Sequence, residues 1–237
     1  MDRRDRWSGL PSRRDPDRPH GRGHQARRDG SANRDRLDGR SHRARPRSRR
    51  RHGPLLRDAI ERGVSGDGQA HAERIVGALL RAGVEIAASL PDSWLSPLIE
   101  RISNEPKIRH IRVTREDDGA GVCAGASLGG KRAVLVCQNA GLLLSANALA
   151  GYAHHHQLPF LVLAVYRGSY EDRFYYQMYK GLVTEPVLDA LRIPFHVVDR
   201  IEDVAIVEEA AREASLARRP VVVLLRRAAL LGDAKAS

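Results

Sequence analysis

Thr114-Arg115-Glu116-Asp117-Asp118-Gly119-Ala120-Gly121-Val122-Cys123-Ala124-Gly125-Ala126 is the stretch that decides the fold. Just before it, Ile108 to Val113 alternates apolar and polar residues and reads as a buried strand. That strand runs into an acidic triplet opening a helix of Gly and Ala. A helix with so few side chains lets its backbone approach something large and flat, either another helix or a planar ligand. The carboxylate of Glu116 falls at the carboxyl end of the strand, where open α/β sheets place their sites. The unit then repeats: a strand over Arg132 to Cys137, a polar turn at Gln138-Asn139-Ala140-Gly141, and a second small-residue helix from about Leu144 to His156.

Toward the N-terminus, Ala72, Ile75, Val76, Leu79 and Leu80 recur at helical spacing and Gly83 follows as a stop, predicting an amphipathic helix over Ala70 to Ala82. Val84 to Leu90 reads as a strand broken by Pro91, with Asp92 or Ser93 placed to cap a helix running through Ile102. Toward the C-terminus, Pro159 precedes the continuous apolar run Phe160 to Val165, suited to the centre of a parallel sheet. Residues 167 to 181 read as a long loop. Thr184 is placed to cap a short helix holding Pro186 in its first turn. A brief strand over Phe195 to Val198, a helix over Ala205 to Leu216 and a buried strand over Val221 to Leu225 complete the pattern. This alternation predicts an α/β fold: a parallel β-sheet of about six strands with helices on both faces.

Five ordered motifs resemble the pyrimidine-binding domain of thiamine diphosphate-dependent decarboxylases. They are Ser89-Leu90-Pro91-Asp92-Ser93-Trp94-Leu95, Thr114-Arg115-Glu116, Ala126-Ser127-Leu128-Gly129-Gly130-Lys131-Arg132, Gln138-Asn139-Ala140-Gly141 and Val183-Thr184-Glu185-Pro186-Val187-Leu188-Asp189-Ala190-Leu191. The likeness runs from about Ala70 to Leu231 and is strongest to the alpha subunit of sulfopyruvate decarboxylase and the matching half of phosphonopyruvate decarboxylase. Ala140 stands where that motif is expected to carry Ser.

The resemblance implies that Glu116 hydrogen-bonds the aminopyrimidine ring of thiamine diphosphate and favours its imino tautomer, whose nitrogen removes the thiazolium proton. It implies that Gly119, Gly121 and Ala124 leave room for a ring, and that Gln138, Asn139 and Gly141 lie beside the cofactor. Asp92 and Ser93 are the expected catalytic polar residues after the first strand. Arg167, Tyr175, Gln177 and Lys180 are the expected ligands for the second anionic group of a sulfonate or phosphonate 2-oxo acid. The diphosphate and magnesium half of the site has no counterpart in the motifs, so a separate beta-type subunit is expected to hold both. Gly66-Asp67-Gly68 imitates the start of a diphosphate-magnesium motif but precedes a helix instead of following a buried strand.

Helix capping, tight-turn chemistry and a solvated mixed-charge loop are the competing structural readings of these residues. Two functional rivals also stand: a non-catalytic regulatory or orphan subunit of the same fold, and a nucleic-acid-binding protein.

The 237 residues carry 40 Lys plus Arg against 29 Asp plus Glu, a net charge of +11. Residues 1–53 alone hold 18 Arg, no Lys and 7 Asp, so the rest of the chain is neutral. Residues 1–68 have few large apolar side chains and are expected to be a disordered Arg-rich tail; one reading is a phosphate-touching arm, and the one preferred is the product of a start site assigned too far upstream. The domain is expected over 69–232, with a short tail at 233–237. The absence of a ~20-residue apolar run argues against a membrane span. Cys123 and Cys137, set among small or apolar residues, suit core packing in a reducing cytoplasm. His154-His155-His156 cannot converge on one metal, because consecutive helical side chains point about 100° apart.

Overall fold

The computed structural model describes residues 66–169, 172 and 174–232. Residues 1–65 of the expected tail and residues 233–237 lie outside the described residues. The first helix, α1 (Gly66–Arg81), begins three residues ahead of the expected domain boundary, so Gly66-Asp67-Gly68 forms its first turn. Gly68 lies close against Leu231 and Pro97, which anchors that turn to the domain. The helix ends as its glycine requires: Gly83 has φ +73°, its N–H donates to Leu80 O at 2.9 Å, and Val84 N–H donates to Leu79 O at 3.0 Å.

The elements that follow are β1 (Ile86–Ser89), α2 (Ser96–Ser103), β2 (Arg109–Arg112), α3 (Glu116–Leu128), β3 (Ala133–Gln138), α4 (Asn139–Leu144), β4 (Leu161–Val165), α5 (Tyr175–Ala190), β5 (Phe195–Val198), α6 (Ile206–Ala217), β6 (Val221–Leu225) and α7 (Arg227–Leu231). All six strands are parallel, in the order β2-β1-β3-β4-β6-β5. The chain leaves β1 toward β2 on one side and later builds β3 on the other. The topological switch point therefore lies between the carboxyl ends of β1 and β3, where an open α/β sheet forms its ligand crevice.

Side chains alternate along each strand, dividing the core in two. On one face Val134, Val136, Leu163 and Val223 pack beneath Ile75, Leu79, Leu98 and Ile102. On the other, Leu135, Cys137, Val162 and Leu224 pack beneath Ala120, Cys123, Ala124 and Leu142. Truncating a fully buried leucine of either cluster to alanine costs about 2–5 kcal/mol.

Several expectations are corrected. The segment at Ile108 to Val113 forms an edge strand and not a buried one: Arg109 and Arg112 are exposed, because only β1 pairs with it. No turn separates β3 from the next helix, since Asn139 is already helical. The helix expected to continue to His156 breaks at Ser145, and Leu149–His154 form a π-helical turn. Half of the expected loop 167–181 is helix, because α5 starts at Tyr175 and holds Pro186 inside it. Thr184 is consequently an interior residue rather than a cap, and its hydroxyl donates to Lys180 O at 2.6 Å. Neither Asp92 nor Ser93 caps α2, whose N-cap is Leu95 without a side-chain bond. The small residues of α3 serve the sheet: a Cβ on Gly119 would come within 2.6 Å of Leu135 and 3.3 Å of Val113, and Ala124 is buried. Gly119 and Ala124 therefore permit close helix–sheet packing instead of leaving room for a ring.

Candidate active site

Glu116 is the first residue of α3, held at the carboxyl edge of the sheet by the extended backbone of Arg115. Arg115 turns away to pair with Asp117, with Nη2 to Oδ2 at 2.8 Å. That guanidinium holds the Asp117 carboxyl below the usual carboxylate range. The half-buried Glu116 has no such partner among the described residues. Its side chain lies over the first turn of α4, where a Cβ added to Gly141 would overlap Glu116 Cγ, Cδ and Oε1. Glycine at 141 is thus a steric requirement of the Glu116 side chain.

A second group assembles beside it from the ends of β1, β3 and β4. Asp92 Oδ1 accepts from Trp94 N–H at 2.8 Å, a local turn in which the aspartate replaces a backbone acceptor. Asp92 Oδ2 accepts from Gln138 Nε2 at 3.1 Å. Arg167 Nη1 lies 3.5 Å from Asp92 Oδ1 and donates to Ser93 Oγ at 3.4 Å. The rest of that guanidinium binds Asp172, with Nε to Oδ2 at 2.8 Å and Nη2 to Oδ1 at 3.3 Å. Its Cζ sits 3.9 Å from the centroid of the Trp94 ring. With side-chain exposures of 3% for Arg167 and 1% for Asp172, this is a buried ion pair, and removing one partner of such a pair costs about 3–5 kcal/mol.

Asn139, fully buried, ties this group to α5. Its Nδ2 donates to Arg167 O at 2.9 Å and to Thr184 Oγ1 at 3.0 Å. Among the described residues, Asn139 Oδ1 and Gln177 Oε1 are buried acceptors without a donor. The helix is seated closely because Gly168, at φ +94°, and Gly181 meet backbone to backbone; a Cβ on Gly168 would lie 2.6 Å from Gly181 N. Tyr166 adds a bond from its hydroxyl to Glu185 Oε1 at 2.6 Å, and burial, followed by the Glu185 carboxylate, pushes its phenol pKa up.

The structure therefore brings Asp92, Ser93, Gln138, Asn139 and Arg167 into one connected network, with Glu116 and Gly141 in contact beside it. Among the remaining expected substrate ligands, Gln177 is buried, Tyr175 is 87% exposed, and Lys180 Nζ lies 5.7 Å over the Tyr176 ring. Trp94, Asp172 and Thr184 belong to the network and were missed by sequence reasoning. Trp94 follows the Asp92-Ser93 pair directly, but no periodic pattern marks a side chain for stacking on a residue that arrives from another strand. Of the three consecutive histidines, His154 is half-buried while His155 and His156 are exposed. Among the described residues no group of three or more His, Cys, Asp or Glu side chains is positioned to hold a metal ion, and no helix is long and apolar enough to cross a membrane.

The fold and site define an open parallel α/β domain with a carboxylate at the carboxyl edge of its sheet. Residues 70–193 match the thiamine pyrophosphate enzyme family, N-terminal TPP binding domain, and the chain belongs to that family. It is 34% identical over 124 residues to sulfopyruvate decarboxylase subunit alpha of Methanococcus maripaludis, a match covering 52% of this chain and 74% of that one. Phosphonopyruvate decarboxylase of Streptomyces viridochromogenes is 34% identical over 149 residues, 62% of this chain and 38% of that one. Benzoylformate decarboxylase of Polynucleobacter necessarius shares the fold, with a TM-score of 0.56 at 14% identity over 70% of this chain; the match spans only 32% of the benzoylformate decarboxylase chain.

The residues present fit the pyrimidine end of thiamine diphosphate. Glu116 offers an unshared carboxylate in a half-buried setting, and the glycine beneath it fixes where that carboxylate stands.

Proposed function

We propose that the chain is the alpha-type subunit of a thiamine diphosphate-dependent decarboxylase acting on an anionic 2-oxo acid such as sulfopyruvate or phosphonopyruvate, releasing CO2 and an aldehyde. The observation that carries this reading is the unpartnered Glu116 carboxylate wedged over Gly141 at the switch point. When bound, thiamine diphosphate supplies the electron sink that decarboxylation of a 2-oxo acid requires. The part of this chain is to hold and orient. Glu116 would hold a ring nitrogen of the cofactor by a shared proton at its carboxyl oxygen, Gly141 keeps that side chain in place, and Gln138 and Asn139 would line the same edge. Asp92 and Ser93 present polar atoms toward the substrate, with Asp92 oriented by Gln138 and Trp94 N–H. Tyr175, Gln177 and Lys180 lie on the helix that flanks this edge and contribute to recognition of the second anionic group.

A separate beta-type subunit completes the site by holding the diphosphate and magnesium. Support comes from the outward face of α5 and its neighbours. Phe174, Tyr175, Tyr176, Met178, Tyr179 and Leu182 are all exposed there, with Leu144 of α4 and Leu128 of α3 also exposed on the same side of the sheet. A concentration of exposed apolar side chains of that kind is the composition of a protein contact. Cys123 and Cys137, both free and buried, suit a reducing compartment, and we place the assembly in the cytoplasm.

The test is co-expression with a diphosphate-binding partner, followed by assay of aldehyde release across a panel of 2-oxo acids. Turnover by the complex and none by the lone chain is the expected result. A purified complex that turns over no member of the panel would sink the decarboxylase reading, and turnover by the lone chain would sink the need for a partner.

A further inference from the structure

We propose that Arg167 is a positioning residue that acts on the reaction through Asp92 and Ser93, and that Asp172 holds it to that task; the inference deepens the decarboxylase reading and rests on it. Each nitrogen of the guanidinium has a partner within the chain. Nε and Nη2 are forked onto the two oxygens of Asp172. Nη1 serves Ser93 Oγ and stands beside Asp92 Oδ1. One face of the plane is covered by the Trp94 ring, and only 3% of the side chain is exposed. An anionic group reaching Arg167 would have to displace a carboxylate and would meet two of them, Asp172 and Asp92, around a single cation. The local charge therefore repels a second anion rather than inviting it.

The same contacts explain what the arginine does. Asp172 is itself fixed, because Gly168 N–H donates to its Oδ2 at 3.2 Å and Phe174 N–H to its Oδ1 at 3.4 Å. The carbonyl of Arg167 is fixed by Asn139 Nδ2. A guanidinium held at its root and at one edge presents its remaining edge at a set position, and that edge meets the Asp92-Ser93-Trp94 turn. A planar fork can do this where an ammonium cannot, since its donors keep their mutual angles. Asp92 is thereby oriented from the β3 side of the switch point by two side chains, Gln138 at the end of β3 and Arg167 beyond the end of β4.

Steady-state kinetics of the assembled enzyme separates positioning from substrate binding. In Arg167→Gln, kcat should fall ~100-fold while KM stays within about threefold, the signature of a misplaced polar group with intact binding. Arg167→Lys should recover only part of the loss, and Asp172→Asn should lower kcat in the same direction as Arg167→Gln. A KM raised tenfold or more with kcat preserved would place Arg167 on the substrate and overturn the proposal.

A second readout needs neither partner nor turnover. Trp94 and Trp7 are the two tryptophans, so in a Trp7→Phe chain acrylamide quenching reports on Trp94 alone. Both Arg167→Gln and Asp172→Asn should raise the quenching constant by uncovering the ring. Unchanged quenching in both overturns the clamp, even if the enzyme is active. Raised quenching in a complex that decarboxylates nothing leaves the clamp standing and removes the decarboxylase reading instead.

Discussion

The two faces of the sheet are covered by different kinds of helix. On the first face, α1 and α2 set large aliphatic side chains inward and α6 sets Val207, Ala210 and Ala214, with charged ones outward, where Arg81 pairs with Glu208 at 2.7 Å and Arg101 with Glu73 at 2.7 Å. On the second, α3 and α4 turn alanine, cysteine and glycine toward the strands, and with α5 they carry seven of the nine exposed large hydrophobic residues among those described; Phe174 immediately precedes α5, and Leu216 on α6 is the ninth. The first face is finished against water by surface ion pairs, each worth little by itself. The second face is left apolar, and it is also the face whose helix starts at Glu116. Site and exposed apolar residues thus share one side, as the proposed completion by a second polypeptide requires.

The largest expected effect is at the site itself. Glu116→Gln, which keeps the shape and removes the proton exchange, should lower kcat of the assembled enzyme by about 10³-fold while assembly, followed by sedimentation, is unchanged. Activity within a few-fold of the parent would remove Glu116 from its role and with it the functional difference between the faces. Next comes Gly141→Ala. The added methyl overlaps the Glu116 side chain, so activity should drop about 10²-fold through displacement of the carboxylate. A crystal structure of that variant with Glu116 unmoved would show that the glycine is not what places it.

Substitution of the outward surfaces tests the contrast directly. Tyr179→Asp on the apolar face should weaken association with the partner by about 2 kcal/mol, the size expected for a buried aromatic anchor. Leu216→Asp on the opposite face should leave association unchanged. Equal loss from both variants would erase the distinction between the two faces.

The smallest effect is alkaline and concerns the buried thiols of the second face. Burial pushes Cys123 up from 9.0 to about 12, and burial, followed by Glu116 and Cys123, raises Cys137 further. Their folded pKa values exceed the unfolded ones, so their contribution is complete below pH 9 and is lost as pH climbs toward 12. Cys123→Ala/Cys137→Ala chains should therefore lose less stability than the parent over that window in urea titrations. Parallel pH profiles would show that the thiols are not the cause of alkaline weakening.

Much of this was legible in the residues. The alternation of apolar runs with helical periodicity predicts six parallel strands, and Pro159 followed by Phe160 to Val165 predicts a central one, because burial on both faces demands a continuous apolar run. Other features were not legible. Residues 175–181 carry Tyr, Gln and Lys without an inward apolar stripe and read as loop; they become helical because Gly168 and Gly181 let the segment dock backbone to backbone. His110 reads as an ordinary strand residue, yet it is held between Ser89 at 2.7 Å and Ser103 at 2.8 Å. Asp92 reads as a cap, and in the structure it receives Gln138 and faces Arg167.

By itself the amino-acid sequence determined the order of strands and helices, the neutral charge of the domain and the carboxylate at the end of the second strand, since each follows from spacing and composition along the chain. Tertiary structure alone decided that Arg167 reaches Ser93 from 74 positions away, that Glu116 rests on Gly141, and which side of the sheet stays apolar. The physical reason is that periodicity specifies how a segment folds and which of its faces is buried. Which side chains meet depends on the crossovers that bring distant strand ends to one edge, and those are set only when the whole sheet is assembled.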